Sequence, residues 1–312
     1  MENIFEDVDC PVCGTSINKI KFGIKYYSNN TLKILNYSGN APDVSLYICR
    51  YCGHHYASPQ IKSSYLNIYY YEFNSEYYNL NSEPKDNLPE EHRKIYNLIR
   101  KKIDKGRVLE LGSGFGFLLN EFPDDKWEKY GVEPSKFAST FAGNKFNIKI
   151  KNGFLNYGDY LPNSFDLIIF FDLIEHLKNP NEFADLIKSY LKADGLIVFG
   201  TGNINSINSK LSGNLWSYYS SWEHISFFSP KSAGVFLNNN GLELIEIIKL
   251  PYNGTFLTNV KNFIKNLTVV RMKNMVKFFL NIFNNKKFTY SYYNLSFDHM
   301  LVFGKIKDVQ KK

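Results

Sequence analysis

Apolar positions fall into two periods along the chain. From Pro89 onward, Ile95, Leu98, Ile99 and Ile103 recur on one helical face, with Glu90 and Glu91 in the first turn. Beyond this helix, short apolar runs alternate with helical patterns. Strands are expected over 108–111, 130–132, 148–150, 165–171, 196–199, 242–248 and 297–303. Helices are expected over 115–122, from Ser135, over 181–191 and over 230–239. The run 165–171 is almost continuously apolar, as in a strand buried on both faces. This alternation predicts an α/β fold with a largely parallel, seven-stranded sheet covered by helices on both faces.

The first 60 residues differ. They show little helical periodicity, and Tyr26, Tyr27, Leu32, Ile34, Leu35 and Tyr37 read as strand-like stretches broken by Asn and Gly. A Tyr-rich connector over 61–88 separates them from the large domain, 89–312. Residues 251–296, between the last two strands, read as an insertion. It carries Lys261, Lys265, Arg271, Lys273, Lys277, Lys286 and Lys287 with no acidic residue, and apolar positions spaced by three, four and seven. A basic amphipathic helix is expected there, either as a lid or against an anionic partner.

Composition adds limits. With 44% hydrophobic and 21% charged residues, the chain as a whole reads as folded. The formal charge of +7 is mild and does not by itself indicate nucleic acid. The segment 1–9 lacks a secretory pattern, and no apolar run approaches the roughly 20 residues of a membrane span. A cytoplasmic protein is expected, with 251–296 a candidate for peripheral contact with the inner face of a membrane.

The chemistry is concentrated in Val108-Leu109-Glu110-Leu111-Gly112-Ser113-Gly114-Phe115-Gly116. A buried strand runs into a glycine turn and then a helix, whose free N–H groups face the same place. Glu133 ends the next strand about 20 residues later, where a carboxylate can accept hydrogen bonds from ribose hydroxyls. The dinucleotide spacing G-x-G-x-x-G fails, because Gly116 comes one residue early. E-x-G-x-G-x-G instead closely resembles the signature of class I S-adenosylmethionine-dependent methyltransferases. The resemblance implies that Glu110, Gly112, Ser113, Gly114, Gly116 and Glu133 hold S-adenosylmethionine, with Glu110 positioning its methionine end.

Ser164-Phe165-Asp166, an apolar strand and then Asp172-Leu173-Ile174-Glu175-His176 are similar to the same family. So are Ala193-Asp194-Gly195 before the fifth strand and Glu223-His224 ahead of Phe227-Phe228-Ser229-Pro230. Asp172 and His176 would sit at the carboxyl end of a parallel strand, where ligands bind. Asp172 is assigned to the cofactor side, with a helix cap as its bland alternative. His176 and His224 are the candidate general bases, and packing or hydrogen-bonded structural roles are their alternatives. Asp172 and Glu175 could also hold magnesium in a metal-dependent variant.

Two similar knuckles, Cys10-Pro11-Val12-Cys13-Gly14 and Cys49-Arg50-Tyr51-Cys52-Gly53, contain all four cysteines. Together they can present four thiolates to one structural Zn2+, in a zinc-ribbon-like module. Two redox or disulfide pairs are the other reading, and His54 and His55 are surplus to four ligands. The arrangement resembles zinc-module-bearing methyltransferases of sugars and other small metabolites. That resemblance implies a sugar or nucleotide-sugar acceptor, as in surface polysaccharide biosynthesis. The long C-terminal domain of the sugar C-methyltransferases is not expected here, which favours transfer to oxygen or nitrogen. It also resembles zinc-containing ribosomal-RNA methyltransferases, so RNA is the second acceptor class. No N-P-P-Y-like amide clamp follows residue 171, and no cysteine is present for pyrimidine C5 chemistry in the large domain. A non-catalytic cofactor-binding scaffold is the third reading.

Overall fold

The computed structural model describes residues 3–24, 32, 37–66, 84–86, 88–206, 209–210, 213, 216–250 and 298–307. The basic insertion expected over 251–296 and most of the Tyr-rich connector lie outside the described residues.

The large sheet has seven strands. In chain order they are β6 (Gly106–Leu111), β7 (Trp127–Glu133), β8 (Lys149–Asn152), β9 (Phe165–Phe171), β10 (Leu191–Gly202), β12 (Leu242–Leu250) and β13 (His299–Ile306). Their spatial order is β12-β13-β10-β9-β6-β7-β8. β6 pairs in parallel with β7 and β9, β7 with β8, and β9 with β10. β13 runs antiparallel between β10 and β12. Carboxyl ends of β6, β7 and β9 therefore share one edge, and the order reverses between β6 and β9, where a ligand crevice is expected.

Alternation along the central strands builds a core on each face. Val108, Leu167, Ile169 and Val198 pack with Ile95 and Ile99 of helix α1 (Pro89–Ile99). Leu109, Ile168, Phe170 and Phe199 pack against α4 (Pro180–Tyr190) and α5 (Pro230–Asn239). Proline opens α1, α4 and α5, where its missing N–H costs nothing and its fixed φ suits a helix. The side chain of Ser229 also caps α5. α3 (Lys136–Phe146) follows β7 as expected, with Ser135 as its cap.

Two expectations change. The helix expected over 115–122 shrinks to α2 (Phe117–Asn120), because Gly116 takes a left-handed φ of 75° at the cap. The strand expected over 196–199 extends to Leu191–Gly202, with an irregularity between Leu191 and Leu196.

Near the N-terminus, β1 (Phe5–Glu6) pairs with β5 (Gln60–Ile61). β2 (Asn18–Ile24), β3 (Val44–Cys49) and β4 (His55–Ser58) form an antiparallel meander. This second sheet takes its fourth strand, β11 (Ser226–Phe227), from the large domain. Cys10, Val12, Cys49, Cys52 and Tyr56 are buried in the same cluster as Phe228 and Phe236. Asn181 and Asn239, at the starts and ends of helices, donate to the carbonyls of Pro11 and Val12. The cysteine knuckles are thus seated directly on the large domain.

Candidate active site

The glycine turn after β6 needs its glycines for different reasons. Gly112, Gly114 and Gly116 all have positive φ, at 71°, 50° and 75°. A Cβ on Gly112 would also lie 2.9 Å from Leu173, and one on Gly116 would lie 2.9 Å from Ala142. Nothing approaches within 4 Å of a Cβ on Gly114, which borders open space. Glu133 ties the turn to the next strand: its Oε2 accepts the Gly114 N–H at 2.8 Å and its Oε1 the Ser135 N–H at 2.9 Å. Burial raises the pKa of Glu133, and those two hydrogen bonds oppose the rise.

Beside the turn is a cavity of about 240 Å³ whose lining includes Glu110, Gly112, Ser113, Phe171, Asp172 and His299. Glu110 is buried, and among the described residues its Oε2 has no hydrogen-bond partner; neither has the Ser113 hydroxyl. Burial, and then the charge of Glu133, push the Glu110 carboxyl well above its ordinary range. Such unmet polar capacity beside a cavity calls for a polar ligand. S-adenosylmethionine fits these groups: its hydroxyls and amino group can donate to the carboxylates, and its own carboxylate can accept from the Ser113 hydroxyl. Helix α1 also lines the cavity, through Glu91 and His92. Sequence reasoning placed Glu91 only in the first turn of the helix and gave His92 no role.

At the exit of β9, Asp172 has a φ of 45°, and its N–H donates to the Gly200 carbonyl at 3.0 Å. It does not cap a helix, since Leu173 holds the cap position of the 3-10 turn Ile174–His176. Its Oδ1 lies 3.3 Å from His299 Nε2, and His299 Nδ1 lies 2.9 Å from Asp298 Oδ1. Burial works against charge on His299, but hydrogen bonds to Asp172 and Asp298 prevail and push it up to about 10. Burial would likewise raise Asp172, but the His299 contact holds it below the ordinary value.

Behind Asp172, Glu175 is fully buried and accepts hydrogen bonds from the Tyr218 hydroxyl and, at 3.0 Å, from Thr201. Burial, then the charge of Asp172, push Glu175 up to about 8. The rings of His176 and His224 meet edge to face, 4.9 Å between centroids. His224 Nδ1–H donates to the Tyr218 carbonyl at 2.8 Å, which makes Nε2 its unprotonated nitrogen. Burial, then His224, push His176 down to about 3, and burial lowers His224 as well. Both imidazoles are therefore neutral at pH 7. They stand next to Asp172 but are not among the lining residues of the cavity. Sequence reasoning missed His299, Asp298 and Tyr218. Its only signal was an Asp-His pair opening the last strand.

The four cysteine Sγ atoms gather within 4.8 Å of one another. Cys10–Cys52 and Cys13–Cys49 are each 3.5 Å apart, too far for disulfides. Tetrahedral Zn–S bonds of about 2.3 Å would set sulfurs about 3.8 Å apart, so the cluster fits such an ion. A hydrogen bond from Cys10 holds Cys52 down to about 5, while that contact and burial push Cys10 far up. Four thiolates this close together would need a cation to offset their charge. Gly14 and Gly53 take φ of 69° and 74°, and their N–H groups return to the carbonyls of Cys10 and Cys49.

No curated protein matches this chain. A Thermotoga maritima protein described as an S-adenosylmethionine-dependent methyltransferase, possible histamine N-methyltransferase, is similar in structure. It is 15% identical with a TM-score of 0.47, over 69% of this chain and 89% of that one. An Archaeoglobus fulgidus S-adenosylmethionine-dependent methyltransferase is 18% identical with a TM-score of 0.47, over 70% of this chain and 94% of its own. A Pyrococcus horikoshii protein is 15% identical with a TM-score of 0.48, over 75% of this chain and 100% of that one. Residues 85–247, just over half of the chain, match the family described as a methyltransferase domain. That span runs from α1 through the glycine turn and the β9 exit to β12, and the chain belongs to the class I S-adenosylmethionine-dependent methyltransferases.

Proposed function

We propose that this methyltransferase acts on a hydroxyl or amine of a sugar, nucleotide-sugar or other small metabolite, as in surface polysaccharide biosynthesis. The cofactor supplies an electrophilic methyl carbon when bound. What remains for the chain is to orient the acceptor, exclude water and take up a proton. The observation that carries the reading is the His176–His224 pair beside Asp172, two neutral imidazoles at the exit of β9. His224 Nε2 would take the acceptor proton, because its Nδ1 is already committed as donor to Tyr218. The half-exposed Asp172 carboxylate would orient a hydroxyl or ammonium group. Glu110, the glycine turn and Glu133 would hold the cofactor, and Cys10, Cys13, Cys49 and Cys52 one structural zinc ion.

Methyl-labelled S-adenosylmethionine and fractionated cell metabolites test this reading. Label should enter small, nuclease-resistant molecules, and His224→Gln should slow transfer by about 100-fold or more. Label appearing in nuclease-sensitive material would overturn it in favour of RNA.

A further inference from the structure

His54 stands two residues after Cys52, and Ser226 two residues after His224. The His54 Nε2 and Ser226 Oγ atoms are 2.7 Å apart, and both residues are fully buried. His54 Nδ1 has no partner among the described residues. A bare lone pair there costs less than an orphaned N–H, so Nε2–H donates to Ser226. The His54 carbonyl accepts the Cys49 N–H at 2.8 Å. One residue is therefore tied by its backbone to the cysteine cluster and by its side chain to the strand that follows His224.

The surrounding backbone continues the same connection. β4 and β11 pair through Tyr56 with Ser226 and His55 with Phe227. Ile225, adjacent to His224, is held on both sides. Its carbonyl accepts the Ala57 N–H at 2.9 Å, and its N–H donates to the Glu175 carbonyl at 3.0 Å. The His54 ring also packs on Phe228, 4.6 Å between centroids. A cluster needed only to fold an N-terminal module would have no need of a buried polar link to this strand.

We infer that His54 is a positioning residue that acts through Ser226 and the β4–β11 pairing to fix the backbone carrying His224, so that metal at the cysteine cluster sets the geometry of the His176–His224 pair. The inference rests on the proposed role of His224. Emptying the cluster loosens the Cys49–His54 turn, then Ser226, and then the ring that faces His176.

The chain has six histidines, so their ring signals can be followed by NMR in the full-length, histidine-labelled protein. In Ser226→Ala, the His176 and His224 signals should move, while metal content, cofactor affinity and the His92 signal stay as in wild type. Ser226→Thr, which keeps the hydroxyl, should restore the signals. Chelation of the wild-type protein should move the same two rings, an arm that needs no folded variant. Unmoved His176 and His224 signals in Ser226→Ala or after chelation would overturn the inference. Signals that move while His224→Gln retains full transfer activity would uphold the positioning and sink the base role of His224.

Discussion

Asp172 and His299 meet at 3.3 Å across the end of β10, joining the exit of β9 to the start of the antiparallel strand β13. Both line the cavity that borders the glycine turn. Asp298 flanks His299 on its other nitrogen and accepts from the Trp216 indole at 3.3 Å. The result is a cation held between two carboxylates at the mouth of the site. Its surroundings also include His224, and the Tyr218 ring lies edge-on at 5.5 Å. Asp172, in a conformation uncommon for a side-chain-bearing residue, is thereby given a fixed direction.

The pH dependence of stability should expose this pair. His299 is raised from 6.5 to about 10, so its contribution is complete below pH 6.5 and is lost as the pH rises towards 10. Asp172 is lowered from 3.8, so its contribution holds above that value and is lost as acid titrates the folded carboxylate. The advantage of wild type over His299→Gln should shrink above pH 6.5, by at most about 1.4 kcal/mol per pH unit. Urea denaturation across that range measures it. A constant difference between the two proteins would mean that His299 is not held charged.

Cofactor affinity should depend on Glu133 in two ways. Glu133→Ala would remove the proposed acceptor for ribose hydroxyls and would also free the Gly114 and Ser135 N–H groups. A loss of about 1.5–3 kcal/mol in S-adenosylmethionine binding is expected for one charge-assisted hydrogen bond. Gly114→Arg should be at least as harmful, because φ is 50° and the added side chain must cross the open space beside the turn. Calorimetry that finds wild-type affinity in both variants would remove the turn from the binding site.

The sequence was most legible where one local pattern dictates the structure. The apolar run of β9, the glycines of the turn and Pro230 at the head of α5 stand where periodicity and turn chemistry put them. The spacing of the cysteines likewise anticipates their meeting. What could not be read is what the topology brings together from far apart. His299 reaches Asp172 only because β13 inserts between β10 and β12. His54 reaches Ser226 only because β11 joins the N-terminal sheet. No period in the sequence marks either meeting. His176 and His224, singled out as bases, do come together, but behind Asp172 rather than in the wall of the cavity.

Metal analysis of protein purified without chelator should find one zinc ion per chain. Cys52→Ser should lose it and lower stability, since the knuckles lie in the same buried cluster as Phe228 and Phe236. Because metal requires thiolates, release should sharpen as acid protonates them. Protein that is metal-free yet as stable as Cys52→Ser, with unchanged thiol reactivity, would point to a plain hydrophobic role for the cysteines.

Glu175 offers the sharpest contrast between a carboxyl and its neutral isostere. It is fully buried, and its two oxygens accept from Tyr218 and Thr201. Tyr218 in turn accepts the Gly202 N–H at 2.9 Å, so the network ties the 3-10 turn to β10. Burial and the charge of Asp172 raise Glu175 from 4.5 to about 8, which leaves it largely protonated at neutral pH, with its own O–H then donating to one of the two hydroxyls, as a Gln amide would. A raised folded pKa means stability that is complete below pH 4.5 and lost as the pH climbs through 8. Glu175→Gln cannot ionise and keeps the shape, so it should match wild type in acid and gain on it as the pH rises. The gain should reach at most about 1.4 kcal/mol per pH unit over that window. Glu175→Ala should instead cost about 1–3 kcal/mol for each partner left without an acceptor, at every pH. Denaturation curves of the three proteins decide the matter. If Glu175→Gln falls further below wild type as the pH rises, the carboxyl is ionised in the fold, and its role is to balance the charge on His299.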